Sequence, residues 1–156
     1  MNPFANTRAA AVLLTAALAA CTHTGARDGT GGKGWIVASE SAAREALHTC
    51  SRPSPDREGK LPLWTPTRAQ VDALEAMLPS LSDHVDDPAS YQRQYVGFVR
   101  DGRQLVYVNA WRAPLGDGFD PEQEGLRACD GGSMFWGAVW DPDTQVFSEF
   151  AANGAI

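Results

Sequence analysis

Tyr91-Gln92-Arg93-Gln94-Tyr95-Val96-Gly97-Phe98-Val99-Arg100, then Asp101-Gly102, then Arg103-Gln104-Leu105-Val106-Tyr107-Val108-Asn109-Ala110-Trp111 decides the fold. Two runs rich in β-branched and aromatic residues flank an Asp-Gly pair. That pair suits a two-residue hairpin turn, which needs positive φ at both positions. A turn centred there sets Phe98 opposite Leu105, Val96 opposite Tyr107, Gln94 opposite Asn109 and Gln92 opposite Trp111. Tyr91, Arg93, Tyr95, Val99, Val106 and Val108 fall on the other face. Both faces are apolar near the turn, while the far end gathers Arg93, Gln94, Asn109 and Trp111.

A second hairpin is expected downstream, from Ser133 to Trp140 and from Gln145 to Ala151. Its turn is Asp141-Pro142-Asp143-Thr144, with proline at the favoured second position. Between the hairpins, Arg112 to Gly132 is rich in glycine and acids and too long for an ordinary connection, a type often functional. Upstream, Trp64-Thr65-Pro66-Thr67 reads as a helix start: Thr65 as cap, Pro66 at the first helical position and Trp64 as a hydrophobic staple. Val71, Leu74, Leu78 and Leu81 then form one apolar stripe, which Pro79 should end. Asp83, His84, Asp86 and Asp87 make a polar exit. Trp35 to Ala38 reads as a short strand. Ser39 or Ser41 would cap a helix running to about Cys50, with Ala43, Ala46, Leu47 and Cys50 on one face. Ser51 to Leu63 reads as a surface loop.

Helices followed by strands, without alternation, predict an α+β domain: a four-stranded antiparallel sheet of two hairpins with one or two helices on one face, a cystatin-like roll. A small β-sandwich is the alternative. On that prediction one sheet face stays open, and Tyr91, Arg93, Gln94, Asn109 and Trp111 form an exposed contact patch.

The N-terminus reads as an address. Arg8 precedes an apolar run, Ala9 to Leu18, followed by Leu18-Ala19-Ala20-Cys21. The run is about half the roughly 20 residues of a membrane-spanning helix, and the four residues match a bacterial lipobox. Residues 1–20 are thus expected to be a lipoprotein signal peptide, 21–34 the lipidated Cys21 with a Gly-rich tether, and 35–156 a single globular domain. Thr22 after the cysteine points to the outer membrane, facing the periplasm. With Cys21 acylated, Cys50 and Cys129 are left to form a disulfide in an oxidising envelope.

The 156 residues carry 13 Lys+Arg against 19 Asp+Glu. Cleavage before Cys21 removes one cation, Arg8, and leaves a net charge of −7. That balance excludes phosphate-neutralising nucleic-acid binding. No Gly-x-Ser-x-Gly or phosphate-binding glycine loop is present, and His48 beside Cys50 lacks companions for a metal site. Asp120, Glu122, Glu124 and Gly125 fall at the first offsets of a calcium loop, but Gly131 stands where the closing bidentate acid belongs. No cofactor, metal or catalytic residue is expected.

Tyr91-Gln92-Arg93-Gln94-Tyr95-Val96-Gly97, Cys129-Asp130-Gly131-Gly132 with Phe135-Trp136-Gly137, and Asn153-Gly154 resemble a family of short uncharacterised bacterial lipoproteins, across about Trp64 to Gly154. The resemblance implies no particular activity. Size, address and acidity together predict a membrane-anchored, non-enzymatic binding module with a periplasmic protein partner, such as an inhibitor or immunity protein against a toxin or lysozyme-like enzyme. Tyr91, Arg93, Gln94, Asn109 and Trp111 would make contact, and Asp117, Asp120 and Glu122 would steer a cationic partner. A structural envelope lipoprotein that binds an assembly machine or cell-wall component is the alternative, and a glycan hydrolase is the third reading.

Overall fold

The computed structural model describes residues 33–154; the expected signal peptide, Cys21 and most of the tether lie outside them. The elements run β1 (Gly34–Ile36), α1 (Glu40–Leu47), β2 (Leu63–Trp64), α2 (Arg68–Met77), β3 (Gln92–Arg100), β4 (Arg103–Trp111), β5 (Phe135–Asp141) and β6 (Val146–Ala152). The fold is α+β.

The central hairpin has the expected register along its whole length, from Gln92 opposite Trp111 to Arg100 opposite Arg103. Asp101 and Gly102 take φ values of 54° and 76°, both positive, as the turn requires. β5 pairs with β4 and β6 with β5, all antiparallel. A bulge between Gly137 and Val139 interrupts the last pairing, and Glu149, opposite it, takes a φ of 53°.

Two expectations of the sheet are corrected. It has six strands and is mixed: β1 runs parallel to the first half of β3, and β2 pairs antiparallel with the second half, so two short strands share one edge. The short strand expected from Trp35 to Ala38 is present as β1, one residue earlier, but the expected four-stranded sheet leaves it out. The two-residue β2 falls where a surface loop and a helix start are expected, and it is too short to show alternation. The helices also lie on opposite faces. Val71 and Leu74 of α2, with Leu78, pack on Tyr95, Val106, Val108, Trp136 and Trp140, whereas Ala42, Ala43, Ala46 and Leu47 of α1 pack on Val96, Phe98, Leu105, Tyr107 and Val139. Neighbouring residues of β3 and β4 alternate between these two cores. That explains why both faces near the turn are apolar.

The helix ends follow capping chemistry. Ser39 caps α1, which stops at Leu47, short of Cys50. α2 is capped by Thr67 and not Thr65. Thr67 Oγ1 accepts from the Gln70 amide at 3.3 Å, and Gln70 Oε1 accepts from the Thr67 amide at 2.9 Å. Thr65 has Arg68 three residues on and cannot close this reciprocal box. After Met77 the chain tightens into a 3₁₀ turn, Leu78–Leu81, around Pro79, and Val71, Leu74, Leu78 and Leu81 are all buried. Trp64 does not act as a staple. Its indole lies across Gly97 and donates to Phe98 O and Leu105 O at 3.1 and 3.2 Å. A Cβ at Gly97 would stand 2.2 Å from Trp64 O.

Candidate functional site

The 112–131 segment has no helix or strand. It lies on the α1 side of the sheet, and buried side chains of the central hairpin hold its backbone. Gln94 donates from Nε2 to Pro121 O and Glu124 O at 2.8 and 2.5 Å and accepts from the Leu126 amide at 2.9 Å. Asn109, its cross-strand neighbour, donates from Nδ2 to Leu126 O at 2.8 Å and to Gln94 Oε1 at 3.2 Å. Asn153, after β6, donates to Ala128 O and Asp130 O at 2.8 and 3.0 Å, on either side of Cys129. Cys129 is bridged to Cys50.

Arg52 ties these anchors together. Its guanidinium donates to Tyr107 Oη at 2.9 Å, to Asn109 Oδ1 at 2.6 Å and to Asn153 Oδ1. All three acceptors are neutral, and among the described residues no carboxylate forms an ion pair with Arg52. Tyr107 reaches it by crossing β5 at Gly137, where a Cβ would stand 2.1 Å from the phenol oxygen. Burial pushes the Tyr107 phenol above its ordinary value, and the Arg52 charge partly offsets that rise. Gly125 completes the attachment: a Cβ there would stand 2.3 Å from Ala42 O of α1, so only glycine lets the segment lie this close.

The expected contact patch is corrected at each of its five members. Tyr91, Arg93, Gln94, Asn109 and Trp111 are all at least 97% buried. The prediction assumed an open sheet face, but the 112–131 segment covers that end of the α1 side, and α2 with its exit turn covers the other face. Gln94 and Asn109 hold the segment. Trp111 stacks on Trp35 with ring centroids 6.0 Å apart and meets the edge of Phe119 at 6.1 Å. Arg93 is 1% exposed; it donates from Nε to Tyr95 Oη at 2.9 Å and lies 3.4 Å from Glu75 Oε1 on α2. Tyr95 in turn donates to Glu75 at 2.6 Å, and burial raises its phenol pKa strongly. Arg93 also donates to Ala89 O at 2.9 Å, so this group fixes α2 and its exit to the sheet.

Asp117, Asp120 and Glu122 are exposed on the covering segment, as expected. Asp120 starts a turn, accepting at its carbonyl from the Glu124 amide at 2.8 Å and at its carboxylate from the Glu122 amide at 3.0 Å. Glu122 O accepts from the Ala38 amide at 2.9 Å, tying the turn to the chain just before α1. Among the described residues no three His, Cys, Asp or Glu side chains converge as metal ligands.

The structure adds Arg52, Tyr107 and Asn153 to the residues that build this site. Arg52 sits in a proline-containing stretch that reads as surface. Its placement two residues beyond a bridged cysteine was the one available signal. No family model, curated protein or solved structure matches the chain.

Proposed function

We propose that the chain is a membrane-anchored lipoprotein whose domain is a non-enzymatic binding module, and that its contact surface is the 112–131 segment. One observation carries the reading: Gln94 and Asn109, buried polar groups in the centre of the sheet, spend their amides on the main chain of an irregular, acid-bearing surface segment. Ordering a residue costs about 1–2 kcal/mol of backbone entropy. A segment ordered before its partner arrives does not incur that cost on binding, which favours affinity. Asp117, Asp120, Glu122 and Glu124 then face solvent on a fixed frame and steer cationic partners. A secreted basic enzyme or toxin held by a periplasmic inhibitor or immunity protein fits this chemistry.

The test is capture followed by kinetics. The oxidised protein is immobilised, and what it retains from envelope extracts and from supernatants of competing cells is identified by mass spectrometry. The reading expects a basic protein whose association slows about tenfold or more at low salt when Asp117, Asp120 and Glu122 are changed to Asn, Asn and Gln. A partner that associates equally fast with that variant contradicts it.

A further inference from the structure

The Cys50–Cys129 bridge lies at the surface: both residues are exposed, with their Cα atoms 5.0 Å apart. A thiolate exchanges with a disulfide by direct attack on sulfur, so access decides whether a bridge reacts in the folded state. The two stretches it joins are also linked a second time, without covalent bonds, by Asn153 and Gly154 after β6. On the Cys50 side, Asn153 Oδ1 accepts from Nη1 of Arg52, and Ser51 Oγ accepts from the Gly154 amide at 3.3 Å. On the Cys129 side, Asn153 Nδ2 donates to Ala128 O and Asp130 O at 2.8 and 3.0 Å, and Gly154 O accepts from the Gly132 amide at 3.1 Å. The Asn153 amide donates to Phe135 O at 2.9 Å, which fixes the pair of residues to β5. Asn153 is 6% exposed, so water competes little for its side chain.

Breaking the sulfur–sulfur bond therefore leaves both cysteines held beside one another. The reverse reaction then starts from a raised effective concentration of one thiol at the other. We propose that Cys50–Cys129 is a reversible thiol–disulfide exchange site, which accepts electrons from a dithiol while the domain stays folded. One thiolate of the dithiol attacks a sulfur of the bridge. The bridge bond breaks, a mixed disulfide forms, and the departing cysteine takes up a proton. The second thiol of the dithiol loses its proton and attacks the sulfur of its own molecule in the mixed disulfide. This closes the disulfide of the reductant and releases the other cysteine, which is protonated in turn. The dithiol is oxidised by two electrons and the bridge is reduced by two. Reduction removes the covalent tie at one end of the 112–131 segment and leaves the hydrogen bonds of Gln94, Asn109 and Asn153 in place. The reaction and its readouts involve no binding partner, so this inference is independent of the binding-module reading.

The test treats the oxidised full-length protein with millimolar dithiothreitol at about pH 8, without denaturant. Free thiols are alkylated over time and read by peptide mass mapping, which scores Cys50 and Cys129 apart from Cys21. Both cysteines should become alkylated at least about tenfold faster than the protein unfolds globally, with near-ultraviolet circular dichroism retained. Transfer of the reduced protein to oxidised glutathione should re-form the same bridge. Asn153→Ala should leave the rate of reduction unchanged and lower the equilibrium constant for re-forming the bridge about tenfold or more. Ser51→Ala, an exposed change that removes only the Gly154 link, should act in the same direction by a smaller factor. Reduction no faster than global unfolding overturns the proposal, as does loss of the near-ultraviolet signal on reduction. An equilibrium constant unchanged in both variants overturns it too, since Asn153 and Gly154 would then not hold the reduced pair.

Discussion

Arg52 donates from Nη2 to Asn109 Oδ1 at 2.6 Å, joining the stretch after α1 to the centre of the sheet. The same Asn109 gives its amide hydrogens to Gln94 and to Leu126 O, so one side chain links loop, strand and covering segment. Asn109→Ala leaves three partners without it, the buried Gln94 and the half-buried Arg52 and Leu126, and an orphaned buried group costs about 1–3 kcal/mol. Allowing for local relaxation, urea unfolding should show a loss of about 2–4 kcal/mol. A loss below about 0.5 kcal/mol would mean that water replaces the amide at no cost.

Gly125→Ala tests the contact between the segment and α1. The added Cβ would stand 2.3 Å from Ala42 O and 2.8 Å from the Ala46 amide nitrogen, both main-chain atoms of a packed helix. The segment therefore has to lift, and overpacking of this kind costs about 1–3 kcal/mol. Amide exchange should quicken across 112–131, while the core between α2 and the sheet keeps its protection.

Alkaline pH should destabilise the domain through two phenols. Burial raises the pKa of Tyr95 and of Tyr107 above the ordinary value near 10. The folded state thus holds these protons more tightly than the unfolded chain. Their contribution is fully present below about pH 10 and is lost as pH rises towards the folded-state values, by up to about 1.4 kcal/mol per pH unit for each group. Tyrosinate absorbance from these two rings should appear together with loss of near-ultraviolet circular dichroism. Ionisation of both while the fold persists would contradict their burial.

Replacing Cys50 and Cys129 with alanine opens a covalent loop spanning 79 residues. The chain-entropy model values that closure at about 4.5 kcal/mol, comparable with the net stability of a small domain. The double variant should unfold at a much lower guanidinium concentration. Because Gln94, Asn109 and Asn153 hold the segment independently, it should still fold in the absence of denaturant at low temperature.

The parts of the fold that were legible in the sequence are those set by strong local chemistry. Asp101-Gly102 fixed the register of β3 and β4, Pro79 ended α2, and the two thiols left once Cys21 is read as a lipidation site predicted their own bridge. What stayed hidden depended on long-range partners. Alternation along β3 and β4 showed two apolar faces, but only tertiary packing puts α1 and α2 on opposite sides. β1 was legible as a short strand but its pairing was not, β2 is too short to carry a periodic signal, and both pair along the edge of β3. The polar far end of the hairpin looked like a contact patch because Gln94 and Asn109 are residue types that are usually exposed. Their partners, main-chain groups of an irregular segment, leave no trace in a side-chain pattern. Exposed Asp117, Asp120 and Glu122 were legible because nothing nearby in sequence could bury them.

Hydrogen exchange at the Leu126 amide tests the central claim most directly. That amide donates to Gln94 Oε1 at 2.9 Å, so its protection reports whether the sheet holds the acidic segment in place. The account predicts exchange at least about a hundredfold slower than in an unstructured peptide, with the protection lost in Gln94→Ala while the β4 amides stay protected. Exchange of Leu126 at the unstructured rate in the unaltered protein would show that the segment is not preordered, and would contradict the account.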